Sequence, residues 1–223
     1  WKTACFAPGV TADFEKGFRQ QVDGFQPARQ TSCATFTDTS VNSNDGTPHG
    51  GPTPIFARGS KALSFDGVDD YINIPYSTSL DAFTALTIAF WMYPTAYGAP
   101  DYWRHIIDKG WNGNGSIVIY LDKTVEERLF FCLMNNAGSE KSCHSDKITA
   151  LNKWYHIIAV WDGSTMNLYV DGVAGTPTSQ SGTLTRNSAL RIAQSSNDFK
   201  GIIDEVRIYD RALNPDEITN LYH

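Results

Sequence analysis

The sequence predicts an all-β fold, a sandwich or barrel of short strands followed by one helix. Three observations carry this reading. Aromatic residues make up 13% of the chain, and such rings favour strands. Short β-branched and aromatic segments recur at steady intervals from Lys61 onward. Between them stand turn dipeptides: Asp66-Gly67, Asn112-Gly113, Asn114-Gly115, Asp162-Gly163 and Asp171-Gly172. Many short strands punctuated in this way form a sandwich or barrel pattern.

Taken in order, residues 1–37 are sparse in apolar side chains, and no element is assigned there. Residues 38–54, "DTSVNSNDGTPHGGPTP", form a long loop dominated by Asp, Asn, Gly and Pro. Strands are then expected at Ala62–Phe65, Tyr71–Ile74, Leu86–Tyr93, His105–Asp108, Ser116–Leu121 and Arg128–Cys132. Four more follow at Trp154–Trp161, Met166–Val170, Ala189–Ala193 and Ile202–Tyr209. In "LTIAFWMY" the alternation puts Leu86, Ile88, Phe90 and Met92 on one face and Thr87, Ala89, Trp91 and Tyr93 on the other. Bulk on both faces marks a central strand, covered on both sides or bordering a binding face. "WDGSTMNLYVDG" is a short strand between two Asp-Gly turns, as in a meander of hairpins. The helix is expected in "LNPDEITNLY", with Asn214 as N-cap, Pro215 at the first helical position and Glu217 closing a capping box.

With 223 residues, 41% of them hydrophobic, the chain can bury a sizeable core. Its net charge of −6 and lack of a Lys/Arg run argue against nucleic acid as a partner. No stretch reaches the roughly 18 apolar residues of a membrane span. Because the chain starts at Trp1, a mature or trimmed product is expected, with a leader, anchor or fused domain removed upstream. The four cysteines form no Cys-x-x-Cys pair, which speaks against a zinc or redox motif. Cys132 ends the apolar run "RLFFC" and Cys143 follows the polar turn "MNNAGSEKS", so the two fall on adjacent arms of a hairpin. The expected pairing is Cys132–Cys143 and Cys5–Cys33, in an oxidising compartment. The alternative is four free buried thiols.

The stretch "GIIDEVRIYD" raises a question. Strict alternation puts Asp204 on one face with Ile202, Val206 and Ile208. A carboxylate aimed at a core is costly unless it is paired, hydrogen-bonded or metal-bound.

"ALSFDGVDDYINIP", "LTIAFWMYP", "IIDKG", "KWYHIIAVWDGSTMNLYVDGV" and "FKGIIDEVRIYDRALNPDEI" stand in the order found in LamG-like domains. On these motifs the chain resembles that branch of the concanavalin A-like lectin/glucanase jelly rolls. The resemblance covers about residues 36–222. It implies an antiparallel jelly-roll β-sandwich over 36–223. Residues 1–35 lie outside the resemblance and are expected as an N-terminal segment stapled by Cys5–Cys33 and packed on the domain. The resemblance also implies a structural calcium ion where the Asn/Asp-rich loop meets the last strand. Calcium takes six to eight oxygen ligands. The expected ligands are Asp204 first, then Asp38, Asp66 and Asn44. The competing reading has Asp204 capping backbone N–H groups of the loop between Asp38 and Gly50, with no metal. "FDGVDDY" reads most plainly as a tight turn, with Asp side chains bonding backbone N–H groups, rather than as a second acidic site.

Related glucanases of this fold carry paired acids on one strand, suited to cleaving a glycosidic bond. Here Asp204-Glu205 and Glu126-Glu127 are adjacent pairs, which point to opposite faces. The five histidines show no metal spacing, and His156 reads as a packed strand residue. No enzymatic activity is expected. Sugar sites pair ring platforms with amide and carboxylate partners. Two loops fit: "YPTAYGAPDYW", with Tyr97, Tyr102 and Trp103, and "KGWNGNGS", with Trp111, Asn112 and Asn114. The alternative is that Trp103 and Trp111 fold back on the core edge. Asn114-Gly115-Ser116 is also a glycosylation acceptor triplet. The expected function is an extracellular or cell-surface, non-catalytic module that binds glycan. A structural or adhesive subunit contacting a surface protein, as on a filament, is the main alternative, and an accessory part of a glycoside-processing enzyme is a lesser one.

Overall fold

The computed structural model describes residues 35–97, 103–110, 113, 115–122, 128–145, 150–193 and 198–222. The expected Cys5–Cys33 bridge, the segment 1–34, and Tyr102, Trp111, Asn112 and Asn114 lie outside the described residues.

Among these residues fifteen strands and one α-helix follow in order, besides a short 3-10 helix at Thr78–Leu80. They are β1 (Thr47–His49), β2 (Thr53–Ala57), β3 (Ser60–Asp66), β4 (Tyr71–Ile74), β5 (Leu86–Pro94), β6 (Arg104–Lys109), β7 (Ile117–Leu121), β8 (Leu129–Met134) and β9 (Glu140–His144). After them come β10 (Tyr155–Trp161), β11 (Thr165–Val170), β12 (Val173–Ala174), β13 (Thr178–Ser179), β14 (Leu190–Ile192), β15 (Lys200–Tyr209) and α1 (Pro215–Tyr222). One sheet has the order β1-β4-β14-β6-β7-β8-β9. The other runs β12-β11-β10-β5-β15-β3-β2, with β13 added on β11. All named pairings are antiparallel, and the two sheets form the expected sandwich.

The strands that the pattern missed are β1, β2, β9, β12 and β13. Four of these are sheet edges and the fifth is a short addition to β11. Edge strands are short and polar and tolerate proline, so they carry little periodic signal. Thus β2 contains Pro54, and β9 reads "EKSCH".

The core lies between the sheets. The predicted inner face of β5, Leu86, Ile88, Phe90 and Met92, is wholly buried. It meets Phe65, Ile119, Phe131, Ile157 and Trp161. Each such side chain contributes about 1.5–3 kcal/mol by leaving water. Trp161 donates its Nε1–H to the Gln180 carbonyl at 2.7 Å, and Gln180 Nε2 donates to the carbonyls of Leu133 and Ser139. One buried amide thereby ties β10 to the β8–β9 hairpin.

The helix forms as its sequence dictates. Asn214 Oδ1 accepts from Glu217 N at 3.0 Å, and Glu217 Oε2 accepts from Asn214 N at 2.9 Å, which is a capping box. Arg211 binds the same carboxylate through both terminal nitrogens, at 2.8 and 2.7 Å. Hydrogen bonds from Arg211 and Asn214 hold the Glu217 carboxyl down at about 2. Ile218 and Leu213 then cover Ala89, Ile158 and Val160 on the outer face of the second sheet.

The hairpin of Cys132 and Cys143 exists, but the expected disulfide does not: both are free thiols. Register explains the correction. Cys132 pairs with Ser142, and Cys143 pairs with Phe131. The two cysteines are one position out of step and so project to opposite faces. Cys143 lies in the core between the sheets, and Cys132 lies on the outer face beside Val118 and Tyr120. Burial pushes the Cys143 thiol up to about 12 and raises that of Cys132 as well, so neither is a ready nucleophile.

A second correction concerns β15. Trp91 and Ala89 of β5 are two positions apart, while their partners Asp204 and Arg207 are three apart. The extra residue is a β-bulge, with Glu205 at φ 51°. Alternation therefore breaks there. Ile203 and Val206 both enter the core, and Asp204 shares the outer face with Trp91.

Candidate functional site

On the outer face of the first sheet, rings line up across four strands. His105 on β6 pairs with Tyr120 on β7, Tyr120 with Phe130 on β8, and Phe130 with His144 on β9. Directly paired residues share a face, so these four side chains form one rung. Tyr120 and Phe130 stack with centroids 5.3 Å apart and planes within 3°. Phe130 and His144 are 5.5 Å apart, and His105 and Tyr120 are 5.9 Å apart. Trp103, just before β6, closes on Tyr120 at 5.5 Å. His105 and Tyr120 are buried, while Trp103, Phe130 and His144 are half-buried. The face thus offers apolar ring surface that is neither sealed nor fully wet.

Polar groups flank the rung. His105 Nδ1 lies 2.9 Å from Asp108 Oδ2, both buried, which fixes the imidazole against Tyr120. The Cys132 thiol donates to Glu140 Oε1 at 3.3 Å. Burial, with Cys132, Asp122 and Glu140 nearby, raises the Tyr120 hydroxyl well above its ordinary range, so it stays a neutral donor. Of the residues expected to bind ligand, Trp103 belongs to this face, packed beside Val118, Tyr120 and Cys132. Tyr97 accepts from Arg104 Nε through its backbone carbonyl at 2.5 Å. The rung itself was missed from the sequence. His105, Tyr120, Phe130 and His144 sit on separate strands, and only pairing register joins them.

The expected calcium ligands are not brought together as one set. Asp38 and Asn44 line a groove of about 430 Å³ between their loop and Val206–Tyr209 of β15, with Asp210 just beyond it, so the loop does meet the last strand. Asp38 is engaged by the loop itself. Its carboxylate accepts from Ser40 N, Ser40 Oγ and Asn44 N at 2.7–2.9 Å. Burial alone would raise this carboxyl, but those hydrogen bonds outweigh it and hold Asp38 below the ordinary range. Asn44 Oδ1 accepts from Ser79 Oγ at 3.1 Å. Asp204 bonds Ser60 Oγ at 2.7 Å and the bulge amide Glu205 N at 2.8 Å. Its partners are thus neither core atoms nor loop amides. The carboxylate stabilises the bulge that moved it. Ser60 and Asp66 are opposite ends of β3, about 20 Å apart at strand rise, so Asp66 cannot share an ion with Asp204.

Asp66 instead opens the turn between β3 and β4. Its Oδ1 accepts from Val68 N at 2.8 Å, and Asp70 Oδ2 accepts from Asp66 N at 2.8 Å, the turn chemistry expected for "FDGVDDY". The same turn gathers carboxylate oxygens of Asp66, Asp69 and Asp70 within 4.8 Å of one another.

The outer face of the second sheet is also aromatic, and it is partly covered: His156 is buried, while Trp91 and Tyr222 are half-buried. His156 lies between Trp91 at 4.6 Å and Tyr222 at 6.0 Å, with Arg58 seated 3.2 Å over the Trp91 ring. Burial first, then Arg207 and Arg58, lowers His156 to about 4. It is 2% exposed and packs as a neutral strand residue, as the sequence suggested.

Among solved structures, the binding domain of Paraclostridial Mosquitocidal Protein 1 is similar at a TM-score of 0.71 and 19% identity, over 86% of this chain and 50% of that one. Domain 4 of AbnA, a GH43 extracellular arabinanase from Geobacillus stearothermophilus, solved with arabinotriose, has a TM-score of 0.65 at 18% identity, covering 78% of this chain and 82% of that one. At these identities the likeness concerns the fold. In sequence, the Adhesion G-protein coupled receptor V1 of Danio rerio is 26% identical over 181 residues, 74% of this chain and 3% of the receptor. The chain therefore spans a small part of that relative and half of the toxin binding domain. Residues 66–219 match a laminin G-type family model, and the chain belongs to the concanavalin A-like lectin/glucanases superfamily.

Proposed function

We propose that this domain is an extracellular, non-catalytic module that recognises glycans on the outer face of β6–β9. The observation that carries the reading is the rung of His105, Tyr120, Phe130 and His144 with Trp103 against it. A sugar's apolar face stacks on a ring, and its hydroxyls need nearby polar partners. Phe130 and Trp103 supply half-buried rings, and Glu140 supplies an acceptor near them. The similar arabinanase domain was solved with an oligosaccharide, which supports the ligand class. A binding role without catalysis also fits the acids beside the rings. Asp108 pairs with His105 at 2.9 Å, and Glu140 accepts from the Cys132 thiol at 3.3 Å.

A second reading, protein contact by an adhesive subunit, draws on edge strand β2. There Phe56 is 78% exposed, on the strand that ends its sheet among the described residues. A glycan array with the wild type, Trp103→Ala, Phe130→Ala and Phe56→Ser separates the two. Glycan binding lost in both ring variants and kept in Phe56→Ser supports the first reading. Binding that survives both ring variants overturns it.

A further inference from the structure

We propose that the turn joining β3 to β4 is a divalent-cation site, built by Asp66, Asp69 and Asp70 and backed by Asp198. It goes beyond the glycan reading and does not depend on it. It also differs from the calcium position implied by the family resemblance, which lies in the groove of Asp38 and Asn44.

The first observation is the acidic turn. Carboxylate oxygens of Asp66, Asp69 and Asp70 converge within 4.8 Å. Turn chemistry explains part of this and not the rest. Its hydrogen bonds use Asp66 Oδ1 and Asp70 Oδ2. They leave one oxygen on each of those residues and make no use of the Asp69 side chain.

The second observation is independent of the turn. Asp198 is 5% exposed, and both its carboxylate oxygens are buried with no hydrogen-bond partner. A buried carboxylate without a donor is costly unless a cation compensates it. Register places it at the turn. Lys200 pairs antiparallel with Asp66, so two residues earlier the chain has run past the end of β3, level with Gly67–Asp70. The approach is close: a Cβ on Gly67 would stand 2.7 Å from Lys200 Cβ and 3.1 Å from Arg104 Nη1. Arg104 is the nearest fixed cation, but it gives Nη1 to the Asp198 carbonyl and Nε to the Tyr97 carbonyl, leaving the carboxylate unbonded. The Asp198 carboxylate lies within electrostatic reach of Asp66, Asp69 and Asp70, so four acids share this corner, with Arg104 and Lys200 as the neighbouring positive charges.

An all-oxygen donor set with irregular spacing suits calcium. Its shell tolerates six to eight ligands, completed by carbonyls and water. Asp69 and Asp66 are exposed, giving an ion access, and Asp70 and Asp198 are buried on the protein side.

The test is calcium titration of chelator-treated protein by calorimetry, with melting curves in parallel and no glycan present. The wild type should bind calcium saturably, and its melting temperature should rise by about 5–10 °C at a hundredfold excess over Kd. Asp69→Asn, at an exposed position the turn does not need, should weaken binding by about tenfold or more. Asp198→Asn should weaken calcium binding and raise the melting temperature in chelator, because it removes an uncompensated buried charge. Asp38→Asn should leave calcium affinity unchanged. The proposal fails if the wild type shows no saturable binding, or if Asp38→Asn abolishes binding that Asp69→Asn leaves intact. A fall in melting temperature for Asp198→Asn in chelator would likewise overturn the role given to that carboxylate.

Discussion

The two outer faces of this sandwich carry similar side chains under different cover. On the second sheet, Trp91, His156 and Tyr222 lie together, Arg58 sits over Trp91, and α1 buries Ile158 and Val160 beside them. On the first sheet, Trp103, Phe130 and His144 flank Tyr120 and stay half-buried. Aromatic content alone therefore does not mark a binding face. What separates the two is the cover and not the burial of single rings: Trp91 and Tyr222 are half-buried as well, but a helix and a guanidinium lie across their face. Rings packed under such cover contribute stability, and rings that no helix among the described residues covers are the better candidates for a ligand.

Substitutions can break or sharpen this contrast. The largest effect is expected for Trp91→Ala. It removes the ring that Arg58, His156 and Tyr222 pack on, and should cost about 3 kcal/mol of stability without changing glycan affinity. Denaturant unfolding and the glycan assay on the same protein check both halves. Next comes pH. His156 is held near 4 when folded against 6.5 for the ordinary side chain. The unfolded state then binds the extra proton between these values, so stability should fall as pH drops from about 6.5 to about 4 and level off below. His156→Phe should flatten that part of a melting-temperature profile, and His144→Phe on the open face should not.

The open face should respond in the other sense. Trp103→Ala or Phe130→Ala should weaken glycan binding by about tenfold or more while moving the melting temperature little. A large drop in melting temperature with preserved binding would give those rings the structural role of Trp91 and Tyr222. The smallest change is expected at the lid of the covered face. Asn214→Ala removes the N-cap of α1 and should cost about 1 kcal/mol, read as a modest shift of the denaturant midpoint. Glycan binding on the opposite sheet should be untouched.

How much of this was legible in advance follows the range of the signal. The inner face of β5 could be read directly, because period-2 alternation is local to one strand. Trp103 was singled out from its aromatic loop, and it does join the ring face. Its companions were not, because Tyr120, Phe130 and His144 look like ordinary strand residues until register places them side by side. The Asp66 turn was expected from Asp-Gly chemistry, but Asp198, more than a hundred residues away, has no local mark.

By itself the sequence determined the strands with a buried face, the Asp66–Asp70 turn and the Asn214–Glu217 capping box. Each rests on alternation or hydrogen bonds within a few residues. Only the tertiary structure decided where one inserted residue shifts a face, as at Glu205, and which residues of separate strands stand opposite one another. That is why Asp204 turned outward to Ser60, why Cys132 and Cys143 face away from each other, and why four rings form one rung. Pairing register is set between strands by the whole sandwich, and a single-residue slip inverts every side chain beyond it.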